Sequence, residues 1–266
     1  MLKIIDGKKI ASEVKTKIAK QVFEIKNDRP SLAIILVGKK EDSTLYVSLK
    51  EREAKKVGID THTYKLAENV SEQELIEVIE FLNDDNAVDG ILIQLPLPEH
   101  INTDNVVEKI NPLKDADGFH PLCPKYITSP VLASIKASLD FSKEDLREKS
   151  ACILYNSSVF GDSIKKMLIE MGVNSILEKK DSNKADILIS AIGKPASIKK
   201  DNIKEGAILI DISTVKVDGK IMGDVDFDDV KDKASFLTPV PGGIGPMTIA
   251  FLLKNVLELY KENHKC

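Results

Sequence analysis

Apolar residues in the first half of the chain form two kinds of pattern. Over residues 7–27 they recur at four-residue steps, which predicts an amphipathic helix. The runs at residues 31–38 and 88–98 are unbroken and end at glycine or proline, as expected for strands buried on both faces of a parallel sheet. Between these runs the pattern predicts a helix, a strand and a second helix, at residues 42–57, 61–65 and 71–82.

The second half of the chain repeats this alternation with different strands. Apolar runs predict four strands and a short fifth, at residues 151–155, 174–178, 185–193, 206–212 and 235–237. Helices are predicted at residues 162–171 and 246–262. Strands that alternate with helices form parallel sheets covered by helices. We therefore predict an α/β fold with two three-layer parallel-sheet domains, the second a doubly wound, Rossmann-like dinucleotide-binding domain.

Size and charge narrow the classes of protein. The chain has 266 residues, enough for two moderate domains, and glycine and proline cluster near residues 119–130, where we place the junction. A net charge of −4 with interspersed signs argues against nucleic-acid binding. No apolar run approaches the ~20 residues of a membrane span, and the first residues lack the features of a secretory signal. We predict no nucleic-acid partner and no membrane partner.

The cysteine content points to a reducing compartment. Cys123, Cys152 and Cys266 are odd in number and far apart in the sequence. This spacing fits neither a disulfide framework nor a zinc site. We therefore predict free thiols, no metal and a cytoplasmic location.

Three polar residues stand out in the first half of the chain. Tyr46 and Lys50 are four residues apart on a predicted helix and therefore share a face. A lysine serves as a general acid or base when burial lowers its pKa, and a nearby phenol can stack on a flat heterocycle. Gln94 interrupts an apolar strand near its carboxyl end, the edge at which α/β sheets bind ligands. The structural alternatives are a surface lysine beside a half-buried tyrosine, and a hydrogen-bonded structural amide.

Two loops carry further candidates. Asp115 and Asp117 precede a glycine, which predicts a loop that aims one carboxylate inward. A carboxylate accepts two parallel hydrogen bonds from an amidine-like edge such as that of a pterin, although a plain Asx turn also explains the pattern. Residues 238–248 contain three prolines and three glycines before the last helix. Such a loop lets the backbone approach a ligand and can contain a cis X-Pro bond; a rigid interdomain turn is the alternative.

These stretches, taken in order, carry a family resemblance. The chain reads Y-V-x-x-K, Q-L-P-L-P, K-D-A-D-G-F-H-P, G-K-P and T-P-V-P-G-G-I-G-P-M-T at plausible separations. In this it resembles the bifunctional methylenetetrahydrofolate dehydrogenase/methenyltetrahydrofolate cyclohydrolase family along nearly the whole chain. Each motif alone is weak, whereas the five in order are specific.

The resemblance implies a role for each candidate residue. Lys50 would be the general acid/base when water attacks the methenyl carbon, Tyr46 would pack on the folate, and Gln94 would hydrogen-bond Lys50. Asp117 would bind the amidine edge of the pterin. The folate cleft would be lined by Leu95, Pro96, Leu97, Pro98, Pro241, Gly242 and Gly243.

The resemblance also implies the reaction and the domain organisation. A hydride would pass from 5,10-methylenetetrahydrofolate to NADP, and the methenyl cation would be hydrolysed to 10-formyltetrahydrofolate. Residues 1–120 and 246–266 would form the folate-binding catalytic domain, and residues 121–245 the NAD(P)-binding domain, with a cleft between them. Family members are commonly homodimers, so we expect a homodimer.

The cofactor loop departs from the family pattern G-R-S-x-x-V-G-x-P. It reads Y-N-S-S-V-F-G-D-S, so that Tyr155 replaces the first glycine and Asp162 adds a negative charge. Glu178 favours NAD through the ribose 2′-hydroxyl, whereas the two lysines after it favour the 2′-phosphate of NADP. We predict NADP, with NAD as the alternative. The predicted cofactor-binding residues are Asn156, Ser157, Ser158, Gly161, Lys179, Lys180, Ile192, Gly193, Ser213 and Thr214.

Three alternatives to the bifunctional NADP enzyme stay open at this point. The altered loop is compatible with a cyclohydrolase that has lost hydride transfer. An NAD-dependent dehydrogenase of the same family is the second. A non-catalytic folate-binding protein is the third, although the presence of Tyr46, Lys50, Gln94 and Asp117 argues against it.

Overall fold

The computed structural model describes residues 2–26 and 28–264 of the chain. Its elements up to residue 107 are, in order, β1 (Lys3–Ile4), α1 (Gly7–Glu24), β2 (Ser31–Val37), α2 (Glu41–Val57), β3 (Asp60–Leu66), α3 (Glu72–Asp84), β4 (Gly90–Ile93) and α4 (Thr103–Val107). From residue 130 onwards they are α5 (Pro130–Ser142), β5 (Ser150–Tyr155), α6 (Ser158–Glu170), β6 (Ser175–Leu177), β7 (Ile187–Ala191), β8 (Ile208–Asp211), β9 (Val215–Val217), β10 (Lys220–Met222), α7 (Phe227–Val230), β11 (Phe236–Leu237) and α8 (Ile244–Asn263).

The chain divides into two compact units. The three-stranded unit consists of Ser12–Pro130 and Ile249–Cys266. The six-stranded unit consists of Met1–Ala11 and Val131–Thr248. Each unit is named here after its main sheet.

The three-stranded unit is a three-layer parallel-sheet structure. Its strands lie in the order β3-β2-β4, and every residue of β2 and β4 is buried, which explains their unbroken apolar sequence. Successive side chains of a strand point to opposite faces. Leu32 and Ile34 of β2 therefore pack with α1, α2 and α8, whereas Ala33 and Ile35 pack with α3 and α4.

The six-stranded unit contains a doubly wound sheet. Its strands lie in the order β1-β11-β8-β7-β5-β6, and all neighbours are parallel. Counted from β5, the strand order is that of the flavodoxin-like doubly wound fold. The direction of winding reverses between β5 and β7, so the carboxyl ends of these two strands flank the point at which such sheets bind ligands. The predicted fold class is confirmed.

The unit boundaries differ from the predicted domain boundaries. Residues 1–11 belong to the six-stranded unit because β1 pairs in parallel with β11, as an extra edge strand. Both residues of β1 are exposed, so no apolar pattern identifies it. Residues 121–130 stay with the three-stranded unit, and residues 246–248 lie in the six-stranded one.

Two predicted helix ends are set by local interactions. The predicted start at Ser71 is confirmed, because Ser71 and Glu74 form a capping box. Helix α6 begins four residues earlier than predicted, because Ser157 caps it by accepting a hydrogen bond from the backbone N–H of Phe160 at 3.4 Å. Helix α1 ends at Glu24; the predicted end at residue 27 lies outside the described residues.

Helix α5 escaped the sequence analysis because serines occupy its buried face. Ser134 and Ser138 are fully buried and Ser142 is nearly so, which interrupts the apolar periodicity. The hydroxyl of Ser138 donates to the carbonyl of Ser134 at 2.8 Å, so the helix's own backbone satisfies this polar group.

Two further sequence predictions concern thiols and membranes. Cys123 and Cys152 are free thiols, as predicted, whereas Cys266 lies outside the described residues. Within residues 2–26 and 28–264, no helix combines the length and apolar character that crossing a bilayer requires.

Asn255 of α8 provides a test of how the three-stranded unit is held together. Its buried side-chain N–H groups donate to the carbonyls of Ala116 and Thr128, each at 2.9 Å. Asn255→Ala leaves both carbonyls without this partner, so we expect the free energy of unfolding to fall by about 2–4 kcal/mol in urea denaturation. The control is Asn263→Ala in the same helix, at an exposed residue with a 3.4 Å hydrogen bond, for which we expect a change within about 0.5 kcal/mol. Equal losses for both variants would refute this role of Asn255.

Candidate active site and cofactor loops

Lys50 and Gln94 meet at the carboxyl edge of the three-stranded sheet. Gln94 directly follows β4, instead of lying within the strand as predicted, and its backbone N–H donates to Ile35 at 2.9 Å. The amine of Lys50 donates to Oε1 of Gln94 at 2.8 Å. The amide nitrogen of Gln94 donates to the carbonyl of Leu95 at 2.7 Å. This second bond fixes the amide, so its oxygen faces Lys50.

Asp117 is electrostatically coupled to Lys50. Burial lowers the pKa of the Lys50 amine, and the negative charge of Asp117 partly offsets this effect. Burial raises the pKa of the Asp117 carboxyl to about 6; the positive charge of Lys50 lowers it and the negative charge of Asp115 raises it. The pKa values of the two groups therefore move towards each other, and such perturbed pKa values are typical of functional sites.

The position of Asp117 is set by Asp115. Asp115 is fully buried and accepts backbone hydrogen bonds from Asp117 at 3.1 Å, Gly118 at 3.0 Å and His120 at 2.7 Å. Its segment also continues the sheet, because Ile91 and Asp115 form a parallel bridge. The Asx turn considered from the sequence is thus present at Asp115, and it holds the loop that carries Asp117.

The other folate residues predicted in this unit have mixed surroundings. Leu97 is buried in the apolar core under α3, and Leu95 packs against the same core. Pro96 is exposed, and the Leu95–Pro96 peptide bond is cis. Leu95, Asp117 and Phe119 line one small recess. Tyr46 lies one helical turn before Lys50 on α2, on the same side of the helix.

The remaining predicted folate residues belong to the six-stranded unit. Pro241, Gly242 and Gly243 lie in the loop before α8, and the Val240–Pro241 bond is cis, as the sequence suggested for this loop. That this loop and Leu95–Pro98 line one site stays a prediction.

Hydrogen bonds join three loops at the carboxyl edge of the six-stranded sheet. The side chain of Asn156, after β5, donates to the carbonyl of Ile192, after β7, at 2.7 Å. The backbone N–H of Gly193 donates to the hydroxyl of Ser213, after β8, at 3.1 Å. Ser157 and Ser158 lie at the start of α6, directly after Asn156. Thr214 follows Ser213 directly.

Two buried carboxylates hold these loops in place. Asp224 accepts hydrogen bonds from the hydroxyls of Ser190 and Ser213 at 2.6 Å, and from the backbone N–H groups of Ile192 at 2.9 Å and Lys194 at 2.7 Å. Asp211 accepts from the backbone of Ser213 and Val225, and burial raises the pKa of its carboxyl to about 6.

The Tyr155 ring takes the space beside Gly161. A Cβ atom on Gly161 would lie 2.6 Å from carbons of this ring. The ring therefore packs against the first turns of α6.

The two lysines predicted for the cofactor lie in different surroundings. Lys179 donates to the carbonyl of Tyr155 at 2.7 Å, and its amine lies 4.0 Å from the centre of the Tyr155 ring. Lys180 instead pairs with Glu178 at 2.7 Å, and both side chains are largely exposed.

Comparison with known proteins agrees with this geometry. Residues 5–117 match the family model for the tetrahydrofolate dehydrogenase/cyclohydrolase catalytic domain, and residues 130–264 match the model for the NAD(P)-binding domain of the same family. The chain belongs to the tetrahydrofolate dehydrogenase/cyclohydrolase family. The family, the enzyme class and the dinucleotide-binding domain predicted from the sequence are thereby confirmed.

Individual family members are similar over their full length. The bifunctional protein FolD of Thermodesulfovibrio yellowstonii is 43% identical over 271 residues, which cover 96% of this chain and 95% of the relative. The crystal structure of FolD from Campylobacter jejuni has a TM-score of 0.92 at 35% identity and covers 98% of this chain and 99% of its own. FolD from Trypanosoma brucei, whose structure contains NADP and an inhibitor, has a TM-score of 0.93 at 29% identity. The match covers 100% of this chain and 99% of the Trypanosoma brucei chain.

Several residues that shape these sites in this family member were not singled out from the sequence. Asp224 and Asn255 act through partners far away in the chain, and Lys165 reaches Tyr155 only because α6 packs on β5. The signal for Asp224 was a G-D-V sequence directly after an apolar residue pair. Asn255 was detectable as a polar residue among Leu252, Leu253 and Val256 on an apolar helix face.

Replacement of Asp117 tests how much the ionisation of this buried carboxyl costs in stability. The pKa of Asp117 is about 6 in the folded chain, whereas the value for an unperturbed aspartate is 3.8. Between these pH values the folded state binds more protons than the unfolded state, so the free energy of unfolding falls as the pH rises through this window. Asp117→Asn removes the cost of ionisation, so we expect it to stabilise the protein at pH 8 by an amount on the order of 1–2 kcal/mol, after allowing for solvent screening. At pH 4 the gain disappears. Thermal unfolding at both pH values measures this, and a destabilised variant at pH 8 would contradict the electrostatic argument.

The contact between Tyr155 and Gly161 predicts a compensating pair of substitutions. Gly161→Ala forces a methyl group into the ring, so we expect a loss of about 1–3 kcal/mol in unfolding free energy. Tyr155→Ala opens the space, and the double variant should lose less than the sum of the two single losses. Strictly additive losses in urea denaturation would show that the ring does not press on residue 161.

Proposed function

We propose that this chain oxidises 5,10-methylenetetrahydrofolate with NADP and then hydrolyses the methenyl product to 10-formyltetrahydrofolate. The observation that carries the proposal is the amine of Lys50, depressed in pKa by burial and hydrogen-bonded to Gln94, with the Asp117 carboxyl electrostatically coupled to it. Membership in the family supports the reaction class.

The loops of the six-stranded unit fit a dinucleotide. Gly193 has a φ of 65°, and no heavy atom lies within 4 Å of the position that a Cβ would take, so a ligand can approach its backbone closely. The first turn of α6 offers backbone N–H groups at Ser157 and Ser158 for a pyrophosphate. A bound NADP would supply the acceptor for the hydride of the methylene carbon. Asn156, Ile192 and Ser213 would hold the loops that position it.

The hydrolysis step requires proton management by the protein. Water adds to the methenyl carbon, the bond from this carbon to N5 breaks, and one proton is released overall. In its neutral form the Lys50 amine takes the proton from the attacking water, and in its protonated form it returns a proton to the departing nitrogen. The oxygen of Gln94 orients the amine for both steps.

Asp117 orients the folate in this proposal. Its carboxylate would accept two parallel hydrogen bonds from the amidine edge of the pterin. Tyr46 would pack on the folate beside Lys50, and Leu95 and Phe119 line the recess next to Asp117.

NADP is the proposed cofactor. Support comes from the NAD(P)-binding family model, from the NADP in the Trypanosoma brucei structure, and from the lysines around Tyr155. The pairing of Glu178 with Lys180 weakens the argument for NAD, because this carboxylate already has a partner. A homodimer and a cytoplasmic location stay predictions from the resemblance and the composition.

The function is tested with 5,10-methylenetetrahydrofolate and each dinucleotide, with separate measurement of NADPH formation and methenyltetrahydrofolate hydrolysis. We expect reduction of NADP, and we expect Lys50→Gln to lower hydrolysis by 10²-fold or more. Hydride transfer should fall less, because it moves no proton through Lys50. Gln94→Glu should shift the pH profile of hydrolysis upwards, because an anion beside Lys50 raises its pKa.

The matched control is Lys55→Gln, at an exposed lysine on the same helix, which should leave both rates unchanged. Hydrolysis at an undiminished rate in Lys50→Gln would exclude the proposed role of this lysine. Hydrolysis without reduction of either dinucleotide would restrict the function to that of a cyclohydrolase.

A further inference from the structure

A groove lies at the carboxyl ends of β5 and β6 in the six-stranded unit. It has a volume of about 420 Å³ and is lined by Ile153, Tyr155, Lys165, Ile176, Leu177, Glu178 and Lys179. Ligand pockets start at about 300 Å³, so the groove is large enough for part of a nucleotide. Strand β6 is the second strand of the doubly wound sheet, and the ribose of a dinucleotide lies near the end of that strand in such folds.

Two lysines from different elements converge on the Tyr155 ring in this groove. Lys165 of α6 donates to the Tyr155 hydroxyl at 3.2 Å, and its amine lies 5.3 Å from the ring centre. Lys179, after β6, lies 4.0 Å from the same centre. The ring thus contacts one ammonium group at its hydroxyl and lies close to the other. Both lysines line the groove, so an anion bound in it would be attracted by two positive charges.

The acidic residues near this pair do not cancel its charge. Asp162 pairs with Lys165 at 2.9 Å, through a side chain that is largely exposed. Glu178 is paired with Lys180 at 2.7 Å. The three lysines therefore outnumber the two carboxylates by one charge, and Lys179 donates a hydrogen bond to a neutral carbonyl.

We propose that Lys165 and Lys179, which both contact Tyr155, bind the 2′-phosphate of NADP and make this chain select NADP over NAD. The inference rests on the proposed function and assigns its cofactor specificity to this cluster. Of the two lysines expected from the sequence it keeps Lys179, and it puts Lys165 in the place of Lys180, because Lys165 and Lys179 line the groove. Lys165 is 14 positions before Lys179 in the chain, and the packing of α6 on β5 brings them together.

In this proposal Tyr155 positions the two lysines, which the glycine of the family pattern at this position could not do. Its ring fixes the two flexible lysine side chains before any ligand arrives, which reduces the conformational entropy lost on binding. Its bulk is accommodated because residue 161 has no side chain.

The test measures binding of two adenine nucleotides to the full chain by calorimetry, without any catalytic step. The probes are 2′,5′-ADP, which carries the 2′-phosphate, and 5′-AMP, which lacks it. We expect the unmodified protein to bind 2′,5′-ADP at least tenfold more tightly. Lys165→Gln should weaken 2′,5′-ADP binding about tenfold and leave 5′-AMP binding unchanged, and Lys165→Gln/Lys179→Gln should abolish the preference. Tyr155→Phe keeps the ring and should have a smaller effect than Lys165→Gln.

The control is Lys166→Gln, one residue further along α6 and exposed, which lies about 100° around the helix and should bind both probes normally. Unchanged 2′,5′-ADP affinity in Lys165→Gln, or an equal loss for both probes, would overturn the proposal. So would an unmodified protein without preference for 2′,5′-ADP. This outcome is distinguishable from failure of the proposed function. Binding of 2′,5′-ADP that depends on Lys165, without any reduction of NADP, would refute only the dehydrogenase activity. Reduction of NADP, with an unchanged 2′,5′-ADP affinity of Lys165→Gln, would refute only this inference.

Discussion

The strands at the centre of both sheets are parallel and buried on both faces, and this burial decides where the polar chemistry lies. Strands β2 and β4 expose none of their residues, so an amine or carboxylate within them would lose its water without gaining a partner. The polar groups come instead directly after the strands. Gln94 follows β4, and Asn156 follows β5. The helices that bury the strands thereby confine the candidate chemistry to the carboxyl edges of the sheets.

Burial at these edges also sets the electrostatics. Asp115 and Asp224 are fully buried, and each accepts several hydrogen bonds that hold a loop in one conformation. Asp117 is raised in pKa by the same kind of burial, and Lys50 is lowered. These carboxylates differ in their roles: Asp115 and Asp224 order the backbone, whereas Asp117 binds the ligand in the proposed function.

The unusual tyrosine of the cofactor loop has its own contacts in the structure. Tyr155 stands where the family pattern has its first glycine. The ring packs on Gly161 and contacts Lys165 and Lys179. Tyr155 departs from the sequence motif, but in the structure it contacts Gly161 and both lysines. These contacts support the proposed preference for NADP over NAD, which the motif alone left open.

Local patterns in the sequence determined the α/β class, most strand and helix positions, the capping box at Ser71 and the family. They suffice because hydrophobic periodicity, caps and motifs are encoded by neighbours in the chain. The tertiary structure decided what depends on distant residues. It placed β1 beside β11, buried the serine face of α5, directed Asn255 to Ala116 and Thr128, and brought Lys165 to Tyr155. These contacts join residues that carry no shared local pattern, so their energies exist only once the chain is folded.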